Sequence, residues 1–436
     1  MKPFLFCLLY ALAGALLVPT ARAQQLAALG SAASAAVFAG VPQASWQPDS
    51  DSAFALFDEA FYANQLFLLG EAHGVARVQD VDLALLKHLN VRAGVRTYVA
   101  EVDCSKAYYL NEYLRTGHDS TLRLVFRSWV AGTAQWGNAE LYRKFQQIRE
   151  WNRTLPANRQ IRFIGLDALQ DKPLAADYLA ARLKGQRLRP ALRTQLDSVM
   201  QLLRNDTGAA ALGAVAKRSV DVLQRARQQR AATLGPVYDD VRHLLRNLGY
   251  ESAGLGREQI LFANFEALFR DLQLENEKLY GLWGLAHVLQ SPIQGETRLL
   301  AGMIRASKLP VHDKVVSVLA MFSGCRMLYP TAGLPPAWQD AGQQTYTRTD
   351  KFNHDGPLTV LAGIEELKQR TRPGSTTLFR LDAAGAATTR QPIAVRYALG
   401  IPAGQQIQFS PRLPASAYVQ YLLLVRDSKA VEPLQP

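Results

Sequence analysis

Acids and histidines recur in this sequence where apolar runs end. Leu66-Phe67-Leu68-Leu69 leads into Gly70-Glu71-Ala72-His73-Gly74, and Thr97-Tyr98-Val99-Ala100 into Glu101-Val102-Asp103-Cys104. Ile161-Arg162-Phe163-Ile164 leads into Gly165-Leu166-Asp167, and Leu279-Tyr280-Gly281-Leu282-Trp283 into Gly284-Leu285-Ala286-His287. The end of a buried strand has no structural need of a charge, because desolvating one is costly unless it is paired. Histidine beside carboxylate is the pairing used in general acid–base chemistry. The imidazole exchanges a proton near neutral pH, and the carboxylate fixes its tautomer and raises its basicity. The same side chains also hold divalent metals. Each residue has a plainer reading as well: Glu101 and Asp167 precede helical stretches and can cap them, and His287 can be a core histidine. Their common position at the strand ends points to one shared site.

Other catalytic signatures are absent from the sequence. There is no Gly-x-Ser-x-Gly elbow, the nearest string being Tyr250-Glu251-Ser252-Ala253-Gly254, and no His-Glu-x-x-His, Cys-x-x-Cys or glycine-rich phosphate loop. A serine or thiol nucleophile is therefore unsupported. What remains is water activated by histidine and carboxylate, directly or through a bound metal.

The elements that would position these residues follow from periodicity. Short apolar runs ending in Gly or an acid read as buried strands, and Val78, Val81, Leu85, Leu86 and Leu89 recur at helical spacing. Helices are expected over 104–116, 120–130 and 138–153. Further strands are expected at Val315–Leu319, 376–381 and Tyr418–Val425. Strands alternating with helices predict an α/β fold, a mostly parallel central sheet covered by helices on both faces. Between 173 and 275 Leu and Ala recur at three and four with no β-branched run, which predicts four or five helices inserted beside the sheet as a lid. Its last helix puts Arg257, Leu261 and Asn264 on one face. The expected organisation is a signal peptide over 1–23, an N-terminal extension over 24–60, a first part of the core over 61–172, the helical insertion over 173–275 and the rest of the core over 276–430.

Residues 1–23 carry Lys2, an apolar stretch from Phe4 to Val18, and Ala21-Arg22-Ala23, the small-x-small string of a signal-peptidase site. Cleavage there predicts an exported protein, periplasmic or extracellular, with no integral membrane span left. It takes the formal charge from +12 to +10. The basic residues are spread rather than clustered, so no nucleic-acid partner is expected. Two cysteines remain, Cys104 and Cys325, and the sequence leaves their pairing open.

Over roughly 60–425 the chain resembles the erythromycin esterase family, which sits in a wider superfamily with ChaN-type haem-uptake lipoproteins and the Tiki/TraB proteins. The matching pieces are Gly70-Glu71-Ala72-His73-Gly74, Val99-Ala100-Glu101, the stretch from Trp129 to Trp151-Asn152, Phe163-Ile164-Gly165-Leu166-Asp167, Arg257-Glu258 to Asn264, and the strand into Trp283 and His287. The resemblance implies hydrolysis of an ester or related acyl bond of a small molecule. His73 would be the general base with Glu71 supporting it, Glu101 a second acid, and His287 a substrate or oxyanion ligand. Asp167, Arg257 and Asn264 would be supporting groups. No cofactor is required by this reading. Where the esterases have Trp-Ala-His-Asn-x-His, this chain has Trp283-Gly284-Leu285-Ala286-His287. Its two Gly-x-x-His strings are closer to the Tiki/TraB branch, which keeps open a metal-dependent hydrolase built on Glu71, His73 and His287. A non-enzymatic envelope protein that binds a ligand is the third reading.

Overall fold

A computed structural model describes residues 37–48, 50–205, 208–228, 234–342 and 344–435. The expected signal peptide lies outside the described residues. The main strands, in chain order, are β1 (Gln43–Trp46), β2 (Leu66–Glu71), β3 (Thr97–Ala100), β4 (Arg162–Gly165), β5 (Leu279–Gly284), β6 (Val315–Ser323), β7 (Thr376–Arg380) and β8 (Tyr421–Arg426). The fold is α/β with mostly parallel strands, as the alternation of apolar runs predicts.

The chain divides into two compact units. The first comprises Met1–Val95, Trp129–Arg159 and Lys278–Pro436, and the second Arg96–Ser128 and Gln160–Glu277. In the first unit the strand order is β1-β7-β8-β6-β2-β5. The pairs β8–β6, β6–β2 and β2–β5 are parallel, while β1–β7 and β7–β8 are antiparallel. Every residue of β2 and of β6 is buried, which is why both read as unbroken apolar runs. The antiparallel edge was not legible. β1 is Gln-Ala-Ser-Trp with only Trp46 buried, too short and polar to show a pattern.

Two glycines shape the end of β2. A Cβ on Gly70 would lie 2.4 Å from Val288 Cγ2, so the bare backbone lets the segment after β5 close onto this strand. Gly74 has φ of +99°, and a Cβ there would meet the Leu328 carbonyl at 2.5 Å. Its own carbonyl accepts from the amides of Leu328 and Val431. The helix Ala76–Arg92 starts directly afterwards and buries Val78, Val81, Leu85, Leu86 and Leu89, the face its spacing predicts.

In the second unit β3 and β4 pair in parallel. Five α-helices follow among the described residues: Lys172–Leu183, Pro190–Arg204, Ala209–Gln228, Tyr238–Ser252 and Arg257–Asp271. They share a core in which Leu192, Leu196, Val199 and Leu203 stack at helical spacing against Leu212, Leu223, Leu244 and Leu248. Cys104 and Cys325 are free thiols. Among the described residues no helix is long and apolar enough to cross a membrane.

Gly74→Ala combines a disfavoured φ with a backbone clash. It should destabilise the fold by about 2 kcal/mol or more, read as a lower urea midpoint at unchanged slope.

Candidate active site

In the first unit Glu71 is the last residue of β2, and only 3% of it is exposed. The chain turns at once, and His73, two residues on, folds back so that its Nδ1 lies 3.1 Å from Glu71 Oε1. The His73 ring is mostly covered and rests on Trp136, with ring centroids 4.8 Å apart. The Gln135 amide donates to the carbonyls of His73 and Leu328, fixing the turn that presents the imidazole. The Glu71 Oε2 atom is buried with no hydrogen-bond partner among the described residues.

His287 enters from β5. Glu71 stands opposite Gly284 in the parallel β2–β5 register, and His287 follows in the single 3-10 turn Leu285–Val288. It is buried, with its ring edge-on to Trp283 at 5.9 Å. The β2–β5 register thus brings Glu71, His73 and His287 to the same end of the first unit's sheet.

Behind Glu71 lies a buried polar group that sequence reasoning missed. Gln79 Nε2 lies 3.5 Å from Glu71 Oε1, and Lys144 Nζ donates to Gln79 Oε1 at 2.7 Å and to Asp82 Oδ2 at 2.5 Å. Tyr280 Oη donates to the other Asp82 oxygen at 2.6 Å. All five residues are buried. One signal for them was present: Val78, Asp82 and Leu86 fall at i, i+4 and i+8, so an acid sits on the buried face of the Ala76–Arg92 helix. Burial pushes the Glu71 carboxyl above its usual range, and Asp82 pushes the same way. His73 and Lys144 pull back without cancelling the rise.

Glu101, Asp167, Arg257 and Asn264 all fall in the second unit. There Arg257 Nη2 donates to Glu101 Oε1 at 2.7 Å and to Asp167 Oδ2 at 2.7 Å, while its Nε donates to Asp167 Oδ1 at 3.0 Å. Burial works against the guanidinium charge, but the Asp167 and Glu101 carboxylates more than offset it and hold the arginine firmly protonated. Neither acid caps a helix. Asp103 caps Cys104–Thr116, accepting from the amides of Ser105 and Lys106, and Asp171 caps Lys172–Leu183. Asn264 is fully buried, pairs amide to amide with Asn247, and donates to the Leu166 carbonyl at 2.8 Å. It holds the end of β4, one residue before Asp167.

Among the described residues no group of three or more His, Cys, Asp or Glu side chains is placed to hold a metal ion.

Residues 91–273 match the model of the family described as erythromycin esterase. No curated protein matches the chain in sequence. Three solved structures share its fold. A Bacillus cereus protein aligns over 87% of this chain and 92% of its own, with a TM-score of 0.64 at 13% identity. A succinoglycan biosynthesis protein aligns over 94% and 99%, with a TM-score of 0.61 at 14% identity. A mutant of the erythromycin esterase EreC in its open conformation aligns over 89% and 98%, with a TM-score of 0.56 at 14% identity. The matched segment holds Glu101, Asp167, Arg257 and Asn264, and leaves out Glu71, His73 and His287. The match supports a hydrolase-type function: the chain is similar to the erythromycin esterase family in sequence over 91–273, and it shares the fold of these solved structures over most of its length.

Proposed function

We propose that this protein is an exported hydrolase in which His73, oriented by Glu71, activates water to cleave an ester or related acyl bond of a small molecule. The observation that carries the reading is the 3.1 Å contact between His73 Nδ1 and the buried Glu71 Oε1. With Nδ1–H donated to the carboxylate, Nε2 keeps its lone pair. It takes a proton from water as the hydroxide oxygen attacks the acyl carbon, and returns it to the leaving alkoxide when the tetrahedral intermediate collapses. Glu71 stabilises the imidazolium that forms between those steps. His287 is assigned as the donor to the oxyanion. Trp136, packed on the imidazole, keeps bulk water off one side of it. Glu101, Asp167, Arg257 and Asn264 are assigned as supporting residues of the second unit. Export rests on the Lys2-to-Ala23 segment and places the enzyme in the periplasm or outside the cell.

The test is a panel of 4-nitrophenyl acyl esters. His73→Ala should reduce turnover at least about a hundredfold while the thermal midpoint stays close to that of the native chain, and EDTA should leave the native rate unchanged. An unfolded His73→Ala protein would make His73 a core residue. Loss of activity on chelation would move the reaction to the metal-dependent class.

Glu71 also has a stability signature. Its carboxyl is raised above its ordinary 4.5 in the folded state. The folded chain therefore holds that proton more tightly than the unfolded chain, and stability falls as pH rises from 4.5 through the folded value. Glu71→Gln removes the penalty. Its melting temperature should exceed the native one by roughly 2–4 °C at about pH 8, the gap closing near pH 4, while ester turnover is lost.

A further inference from the structure

We propose that Lys144 and Gln79 are positioning residues that set the tautomer of His73 through a one-way chain of donors ending on Glu71. The inference rests on the reading of His73 and Glu71 given above and adds the residues that impose the proton arrangement on them.

The bond directions follow from which groups can donate and which can accept. An ammonium has three donors and no acceptor. Lys144 Nζ lies 2.7 Å from one end of the Gln79 amide, so that end must be the carbonyl oxygen, and the NH2 is turned to the other side. The group on that side is Glu71 Oε1, at 3.5 Å. Glu71 Oε1 therefore faces a donor from Gln79 and acts as acceptor. His73 Nδ1 meets the same oxygen at 3.1 Å. An oxygen that accepts from both sides requires Nδ1 to carry the hydrogen, which leaves the lone pair on Nε2. Lys144, which cannot accept, thus fixes the Gln79 amide, and the Gln79 donor favours the ionised, accepting form of Glu71 Oε1, in which the hydrogen sits on Nδ1.

The remaining partners hold Lys144 in that role. Asp82 Oδ2 takes a second ammonium hydrogen, and Tyr280 donates to Asp82 Oδ1. The ammonium and the Asp82 carboxylate thereby compensate one another in a buried setting. An uncompensated ion there would be costly, and a neutral Lys144 would lose the constraint. The charged groups around Glu71 are His73, Lys144 and Asp82. Gln79, Lys144 and Asp82 lie on two helices, Ala76–Arg92 and Ala139–Thr154, so the constraint is anchored in regular structure rather than in the turn that carries His73. Gln79 is the link that can be removed while leaving the Lys144–Asp82–Tyr280 group in place.

The experiment is nitrogen NMR on the full chain labelled with 15N-histidine, with the His73 signal identified from the His73→Ala protein. Native His73, above its titration, should show a protonated Nδ1 and an unprotonated Nε2. Gln79→Leu should move both shifts toward a mixture of the two tautomers. Gln79→Glu, of the same size but with an acceptor in place of the NH2, should do the same if the leucine variant folds poorly. On 4-nitrophenyl butyrate, Gln79→Leu should lower kcat about tenfold to a hundredfold with KM little changed. That is less than the roughly 10⁴-fold seen when a residue bonded directly to a catalytic histidine is replaced. A native His73 protonated on Nε2, or tautomer shifts identical in the native chain and both Gln79 variants, overturns the inference. Absence of ester hydrolysis in the native chain, with the tautomer still responding to Gln79, overturns the hydrolase reading and leaves the positioning chain standing.

Discussion

A carboxyl group shut away from water at the end of a central strand is the constraint around which the first unit is built. Glu71 ends β2, and β2 is flanked on both sides by parallel strands, β5 and β6. An acid there cannot be solvated by leaning outward. It needs partners that come to it, and the surrounding sequence supplies them. His73 folds back onto Oε1, and Gly74, with its positive φ, turns the chain directly after it. Gly70 has no side chain, so Val288 and the His287 turn can close over the strand end. The helix that follows directs Gln79 at the same oxygen. Each of these features is awkward in isolation and consistent as part of one arrangement.

The two polar clusters differ in how completely their charges are balanced. In the second unit, Arg257 receives two carboxylates in a forked geometry, and Asp103 is held by the Lys106 and Ser105 side chains and three backbone amides. Despite burial, the Asp103 carboxyl lies below its ordinary range because these donors outweigh desolvation. Arg257 and Asp103 are held in their charged forms by these partners and suit a fixed, supporting role. Glu71 is the opposite case: among the described residues one oxygen has partners and the other has none, and burial dominates its titration. Incompletely compensated groups of this kind are the ones suited to respond to a charge that forms on a neighbouring imidazole. The chemistry is accordingly assigned to the first cluster.

Much of this was legible because the signals were local. Strand ends that combine apolar runs with a terminal acid or histidine stand out in the sequence, and the helices over 104–116 and 138–153 are found close to where their periodicity puts them. The ion triad was half legible. Arg257, Asp167 and Glu101 each drew attention, but nothing in their spacing shows that one guanidinium serves both acids. Lys144 and Asp82 are 62 positions apart and become meaningful only when their helices pack. An acid on an apolar helical face was the one trace they left. β1 and the short strands after Pro330 were lost for the other reason: three- and four-residue strands with half-buried, polar sequences carry no periodicity.

The family match and the histidine pair are separate lines of support. The matched segment stops before His287 and begins after His73, so the pairing of Glu71 with His73 owes nothing to it. Shared fold at 13–14% identity is likewise silent on chemistry, because folds of this class host many reactions and the site alone decides among them. The family described as erythromycin esterase matches the middle of the chain, and residues outside that match make the His73–Glu71 contact. The family match supports a hydrolase-type function, and the His73–Glu71 contact is the geometry on which the proposed water activation rests.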